Sequence, residues 1–110
     1  METACFLSGL GSSVSVVVRS KILRSFDNQI VRQLEDQLIE KENMNIFNKS
    51  AVKNIEKLEN GKMRVTIQIE GQNDNIMDDI DCVVLAVGRE LNPEALGLNL
   101  VKGVNINKKR

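Results

Sequence analysis

The chain has 110 residues, enough for one modest domain, and 42% apolar with 27% charged residues places it among globular rather than disordered proteins. Fifteen Lys and Arg balance fifteen Asp and Glu, which excludes a whole-chain field drawing nucleic acid, an anionic membrane surface or an acidic partner. Any phosphate recognition must therefore be local, and the absence of His rules out histidine-dependent catalysis within these residues.

Residues 2–10, with Cys5, Phe6, Leu7 and Leu10, read as a helix that ends at Gly11-Ser12-Ser13. Residues 14–18 (V-S-V-V-V) follow as a strand whose β-branched residues predict cover on both faces, as in a parallel sheet flanked by helices. It stops at a basic cluster containing Arg19, Ser20, Lys21 and Arg24. Asp27 is placed to cap a second helix, with Phe26 stapling onto Val31, and Ile30, Val31, Leu34 and Leu38 recur at helical spacing to about Glu42. Residues 44–47 then read as a parallel strand, completing strand-helix-strand.

The period changes to two over residues 51–58 and 63–70, joined by an Asn60-Gly61 hairpin signal. Residues 71–79 are polar and predict a loose loop, and residues 80–87 predict another strand buried on both faces, ended by Gly88-Arg89. Asn92-Pro93 opens a short turn, Leu96 and Leu98 are expected to pack back, and residues 103–106 have the pattern of a weak strand.

Cys5 and Cys82 lie far apart in apolar runs, without CxxC or metal-ligand spacing, and are expected as buried thiols in a reduced compartment; no metal site is expected. No basic region precedes a long apolar stretch, and the run at residues 83–87 is far short of the ~20 residues that span a bilayer. A soluble chain is expected, in the cytoplasm or alternatively the mitochondrion.

The sharpest chemical signal is Arg19 and Arg24 at the carboxyl end of a strand in a parallel sheet, where ligands of open α/β sheets bind. In a dinucleotide fold this position meets the adenosine ribose. An acidic residue there would select the 2′-hydroxyl of NAD, whereas a guanidinium offers forked donors to the 2′-phosphate of NADP. Solvated charge ending a strand is the plainer alternative for the same cluster.

Three segments in order, E-T-A-C-F-L-S-G-L-G (2–11), V-V-V-R-S-K-I-L-R-S-F-D (16–27) and D-C-V-V-L-A-V-G-R-E-L-N-P (81–93), resemble the FAD-dependent pyridine-nucleotide disulfide reductases of the glutathione and thioredoxin reductase type. The resemblance implies a partial NAD(P)-binding domain over residues 1–110: an α/β, incomplete Rossmann-like fold with an inserted antiparallel β-meander. It implies that Arg19 and Arg24 hold the NADP 2′-phosphate with help from Ser20, and that Glu2 lies near the nicotinamide and flavin. Ala86, Val87, Gly88 and Arg89 match the segment that closes over the cofactor. Ser20, where glutathione reductases more often have His, tilts the resemblance toward thioredoxin reductases.

The departures are equally definite. The family's first strand and G-x-G-x-x-[GA] loop would lie immediately before Glu2; Gly9 and Gly11 fall at the wrong end of a helix to replace them. Neither Cys5 nor Cys82 matches a redox-active cysteine of the family. The expectation is a fragment, inactive by itself, marginally stable and prone to aggregate. In the intact enzyme NADPH would reduce FAD, and electrons would pass to thioredoxin or glutathione disulfide. Homodimerisation is expected only of the intact protein. A non-catalytic nucleotide-binding or interaction module, and a lipoamide or mercuric reductase, stand as alternatives.

Overall fold

In the computed structural model, residues 1–41, 44–88, 90 and 92–105 are described. The first helix, α1 (Glu2–Gly9), ends because Gly11 takes φ +90, a region that side chains with a Cβ rarely enter. Its amide donates to the Ser8 carbonyl at 2.8 Å and that of Ser12 to the Leu7 carbonyl at 3.1 Å, the paired reverse bonds that close a helix end and turn the chain.

Strand β1 (Val14–Val17) runs parallel to β2 (Met44–Phe47), with Val14 opposite Met44 and Val17 opposite Phe47. Between them lies α2 (Asn28–Lys41), as the strand-helix-strand pattern requires. Asp27 caps it: one carboxylate oxygen accepts the Gln29 amide at 2.9 Å and the Ile30 amide at 3.3 Å, satisfying two donors that a helix start leaves free. Val31 and Leu38 are buried seven residues apart on one face, and Leu34 between them is half-buried. Ile30 and Phe26 stay about two-thirds exposed at 66% and 65%, so the predicted staple of Phe26 on Val31 does not bury the ring.

A second sheet is an antiparallel meander of β3 (Ser50–Lys57), β4 (Met63–Ile69) and β5 (Asn75–Ile80) in sequential order. The hairpin from β3 to β4 closes through the Leu58 amide on the Lys62 carbonyl at 2.8 Å and the Gly61 amide on the Leu58 carbonyl at 3.0 Å. On β4 the alternation places Val65 and Ile67 in the core, where Ile67 is fully buried. The opposite face carries Arg64, whose guanidinium grips both oxygens of Asp78 on β5 at 2.5 and 2.9 Å. That hydrogen-bonded contact holds the Asp78 carboxyl below its ordinary range and raises Arg64 further above neutrality.

Several expectations are corrected. Residues 75–79, expected as loop, belong to the edge strand β5, in which Asp78 pairs with Arg64 of β4, while Asp74 just before the strand pairs with Lys53 of β3. Residues 81–88 form no strand and are largely exposed, with Leu85 at 72% and Val87 at 85%. A strand needs a neighbour to satisfy its backbone, and among the described residues none pairs with this segment or with the outer edge of β1. For the same reason β1 is half-buried rather than covered on both faces. Cys5 and Cys82 are exposed, not buried, and Leu96 is exposed while Leu98 is half-buried. Residues 103–105 form no strand, and Ile106 lies outside the described residues.

The parallel and antiparallel sheets make the chain mixed α/β. Its radius of gyration is 18.2 Å, against roughly 13 Å for a compact domain near this length, so a single core does not gather the whole chain. Among the described residues no helix is long and apolar enough to cross a membrane, and no group of three or more metal-ligating side chains forms.

Candidate functional site

The residues after β1 make the candidate site because one of them is an anchor. Ile22 is buried at 2% exposure, which pins the middle of the stretch while Arg19, Ser20 and Arg24 on either side stay exposed. Leu23 takes φ +45 and its carbonyl accepts the Phe26 amide at 2.9 Å, turning the chain toward the cap of α2. The Lys21 ammonium donates to the side-chain oxygen of Asn28 in the first turn of that helix.

The other wall comes from the turn between β2 and β3. Val18 donates to the Phe47 carbonyl at 2.9 Å and accepts from the Ser50 amide at 2.9 Å, continuing the β1–β2 pairing past the end of both strands. Next to it, the Lys49 amide donates to the Ser20 carbonyl, and the Lys49 carbonyl accepts the Glu70 amide, each at 3.0 Å. Lys49 itself sits at φ +49, in the left-handed region. Ser50 is buried, its hydroxyl donating to the Phe47 carbonyl at 2.5 Å, and Asn48 donates to Glu35 of α2. The junction is thereby tied to both sheets and to the helix.

These contacts enclose an open cleft of about 600 Å³ lined by Arg19, Ser20, Lys21, Arg24, Lys49 and Glu70. A second hollow of about 470 Å³ shares Arg19, Lys49 and Glu70 and extends along Gln68 and Gln72. Four cations thus face one carboxylate. Glu70 pairs with Lys49 at 3.1 Å, but with side chains 70% and 67% exposed the pair contributes no more than about 1 kcal/mol and exchanges readily with solvent or ligand. Guanidinium forks beside a hydroxyl donor suit a phosphate monoester and would bind a neutral ligand poorly.

Of the residues singled out in the sequence, Arg19, Ser20 and Arg24 come together in this cleft. Glu2, in the first turn of α1, does not line it, nor do Ala86, Val87 and Gly88, which are exposed in the irregular segment after β5. Arg89 lies outside the described residues. Lys49 and Glu70 escaped sequence reasoning; the only local signal was charge at the two ends of the first meander hairpin, which is common on any sheet surface.

Residues 1–75 match the family described as pyridine nucleotide-disulphide oxidoreductase. Over 108 residues the chain is 33% identical to "Thioredoxin reductase 2, mitochondrial" of Drosophila melanogaster, covering 89% of this chain and 20% of that protein. Over 110 residues it is 32% identical to "Glutathione reductase" of Yarrowia lipolytica, covering 99% of this chain and 23% of that protein. The chain therefore spans about a fifth to a quarter of the length of these relatives.

Proposed function

Because the chain belongs to the pyridine nucleotide-disulphide oxidoreductase family, we propose that residues 1–110 are part of the NAD(P)-binding domain of an NADPH-dependent thiol-disulfide reductase. The observation that carries the reading is the cleft at the carboxyl end of β1, where Arg19, Ser20 and Arg24 converge. In it Arg19 and Arg24 hold the adenosine 2′-phosphate of NADP, and the Ser20 hydroxyl donates a third hydrogen bond.

Bound NADPH would supply a hydride to FAD in the intact enzyme, whose electrons reduce the disulfide of thioredoxin or glutathione. This chain's own residues bind and orient. The two guanidiniums fix the adenosine end and discriminate a phosphate from a hydroxyl, because the wrong ligand leaves two charged donors unpaired. We assign Ala86, Val87, Gly88 and Arg89 to the segment that closes over the cofactor, and Glu2 to the neighbourhood of the nicotinamide and flavin, as the family resemblance implies. We place the protein in the cytoplasm or mitochondrion, and assign dimerisation to the intact reductase.

Calorimetric titration of the chain with NADPH and NADH tests the reading. NADPH is expected to bind more tightly on the order of tenfold or more, since charge-assisted bonds to phosphate contribute about 1.5–3 kcal/mol. The Arg19→Met/Arg24→Met double variant is expected to abolish the difference. Equal affinity for both nucleotides in the unaltered chain overturns the assignment.

A further inference from the structure

The cleft holds a cation that the two arginines do not account for. Lys49 enters it from the opposite wall, about thirty residues away in sequence, with its amide bonded to the Ser20 carbonyl and its carbonyl bonded to the Glu70 amide, both at 3.0 Å. Two backbone bonds fix its Cα beside Ser20, while a four-carbon stem leaves the ammonium free to move several ångströms. Its φ of +49 is uncommon for a residue with a long side chain, and the conformation is imposed by those two bonds. In the structure the ammonium rests on Glu70 at 3.1 Å, in a pair exposed enough to exchange.

We propose that Lys49 is a further specificity-determining ligand of a nucleotide phosphate monoester in this cleft, held in reserve by Glu70, which competes with the phosphate for it. The proposal rests on the reading of the cleft given above and extends it to residues outside the basic stretch. A phosphate monoester carries a charge of about −1.5 to −2 near neutral pH and three acceptor oxygens, against the single charge of a carboxylate, so it draws the ammonium away from Glu70. A ligand with a hydroxyl in place of that phosphate offers no such charge, and Lys49 stays paired. Glu70 thereby lowers affinity for anions generally and makes occupation by the doubly charged group the condition for recruiting Lys49.

The experiment uses the full chain with adenosine 2′,5′-bisphosphate as probe and adenosine 5′-monophosphate as control, by calorimetry. Glu70→Gln is expected to tighten the bisphosphate about threefold, and Lys49→Met to weaken it on the order of fivefold, with far smaller changes for the monophosphate. Lys49→Arg is expected to restore most of the loss. In the Lys49→Met background the gain from Glu70→Gln is expected to shrink, because the two residues act on one ligand through each other.

If the bisphosphate binds and Arg19→Met weakens it while Lys49→Met and Glu70→Gln both bind it as tightly as the unaltered chain, Lys49 is not a ligand and the proposal falls alone. If the unaltered chain binds neither probe, the cleft reading falls and takes this proposal with it. Should Lys49→Met fail to give a cooperative melt, Glu70→Gln decides: an affinity for the bisphosphate equal to or below that of the unaltered chain overturns the competition.

Discussion

The Lys49 amide donates to the carbonyl oxygen of Ser20 at 3.0 Å, which makes the turn before β3 and the basic stretch after β1 a single piece of structure. The bond is made from a residue at φ +49, where a Cβ crowds the backbone. Lys49→Gly removes that crowding and keeps the amide, so it is expected to stabilise the fold by about 0.5–1 kcal/mol after the extra flexibility of glycine in the unfolded chain is subtracted. The same variant loses the ammonium and is expected to bind the bisphosphate probe less tightly. A thermal melt and a titration on one protein then separate the scaffold role of Lys49 from its charge.

The cap of α2 gives an independent test of the local logic. Asp27 satisfies two amides of the first turn, and Asp27→Ala is expected to cost about 1 kcal/mol, read as a lower urea midpoint at unchanged slope. Asp27→Asn or Asp27→Ser should recover most of it. Because this cap also ends the turn that carries Arg24, the Ala variant is expected to weaken phosphate binding slightly, whereas the Asn variant is not.

The strand-helix-strand segment was legible because each of its signals is local: β-branched residues in β1, a cap at Asp27, and Val31, Leu34 and Leu38 on one face. Arg19, Ser20 and Arg24 were legible because the end of a strand in a parallel sheet is a position that pattern and spacing define. Lys49 was not. Its part in the cleft depends on a crossing of two loops about thirty residues apart, and nothing in Asn48-Lys49-Ser50 marks a left-handed backbone. Strand β5 was missed because its polar residues read as loop, although Asp78 faces a cationic partner on β4 and Asp74, just before the strand, faces one on β3. Residues 81–88 failed in the opposite sense. Their valines carry the pattern of a buried strand, but pattern selects a face and only a neighbour supplies the hydrogen bonds.

The contact of Arg64 with Asp78 predicts a dependence on acid. Asp78 has its pKa lowered in the folded state, first by the hydrogen bond from Arg64, so its stabilising effect is present above the carboxyl's unfolded pKa. It is lost as pH falls through the lower, folded value. The wild-type chain is therefore expected to lose stability progressively below about pH 4, and Arg64→Met to lose less over the same interval. Melting both proteins across pH 2.5–7 in low salt reads the difference; parallel curves mean that Asp78 is not the group responsible. Added salt should shrink the effect, because the pair is exposed to solvent.

Val84, Leu85 and Val87 are all exposed in a segment that forms no strand, and the outer edge of β1 has no strand beside it among the described residues. An apolar, β-branched stretch with free backbone groups and a bare strand edge are each able to pair with another copy of the chain. The expected behaviour of the isolated chain is association that rises with concentration in the micromolar range, visible in sedimentation velocity or light scattering. Placing charge on the stretch is the direct control. Leu85→Lys with Val87→Lys should suppress association while leaving the melt of the β3–β4–β5 meander unchanged, since both side chains are largely exposed whereas the meander buries Val65 and Ile67. Association that persists in the double variant would transfer the cause to the β1 edge, where Ser15→Lys, at the one exposed position of that strand, is expected to reduce it instead. A monodisperse wild-type chain at every concentration would mean that neither surface is available for pairing in solution.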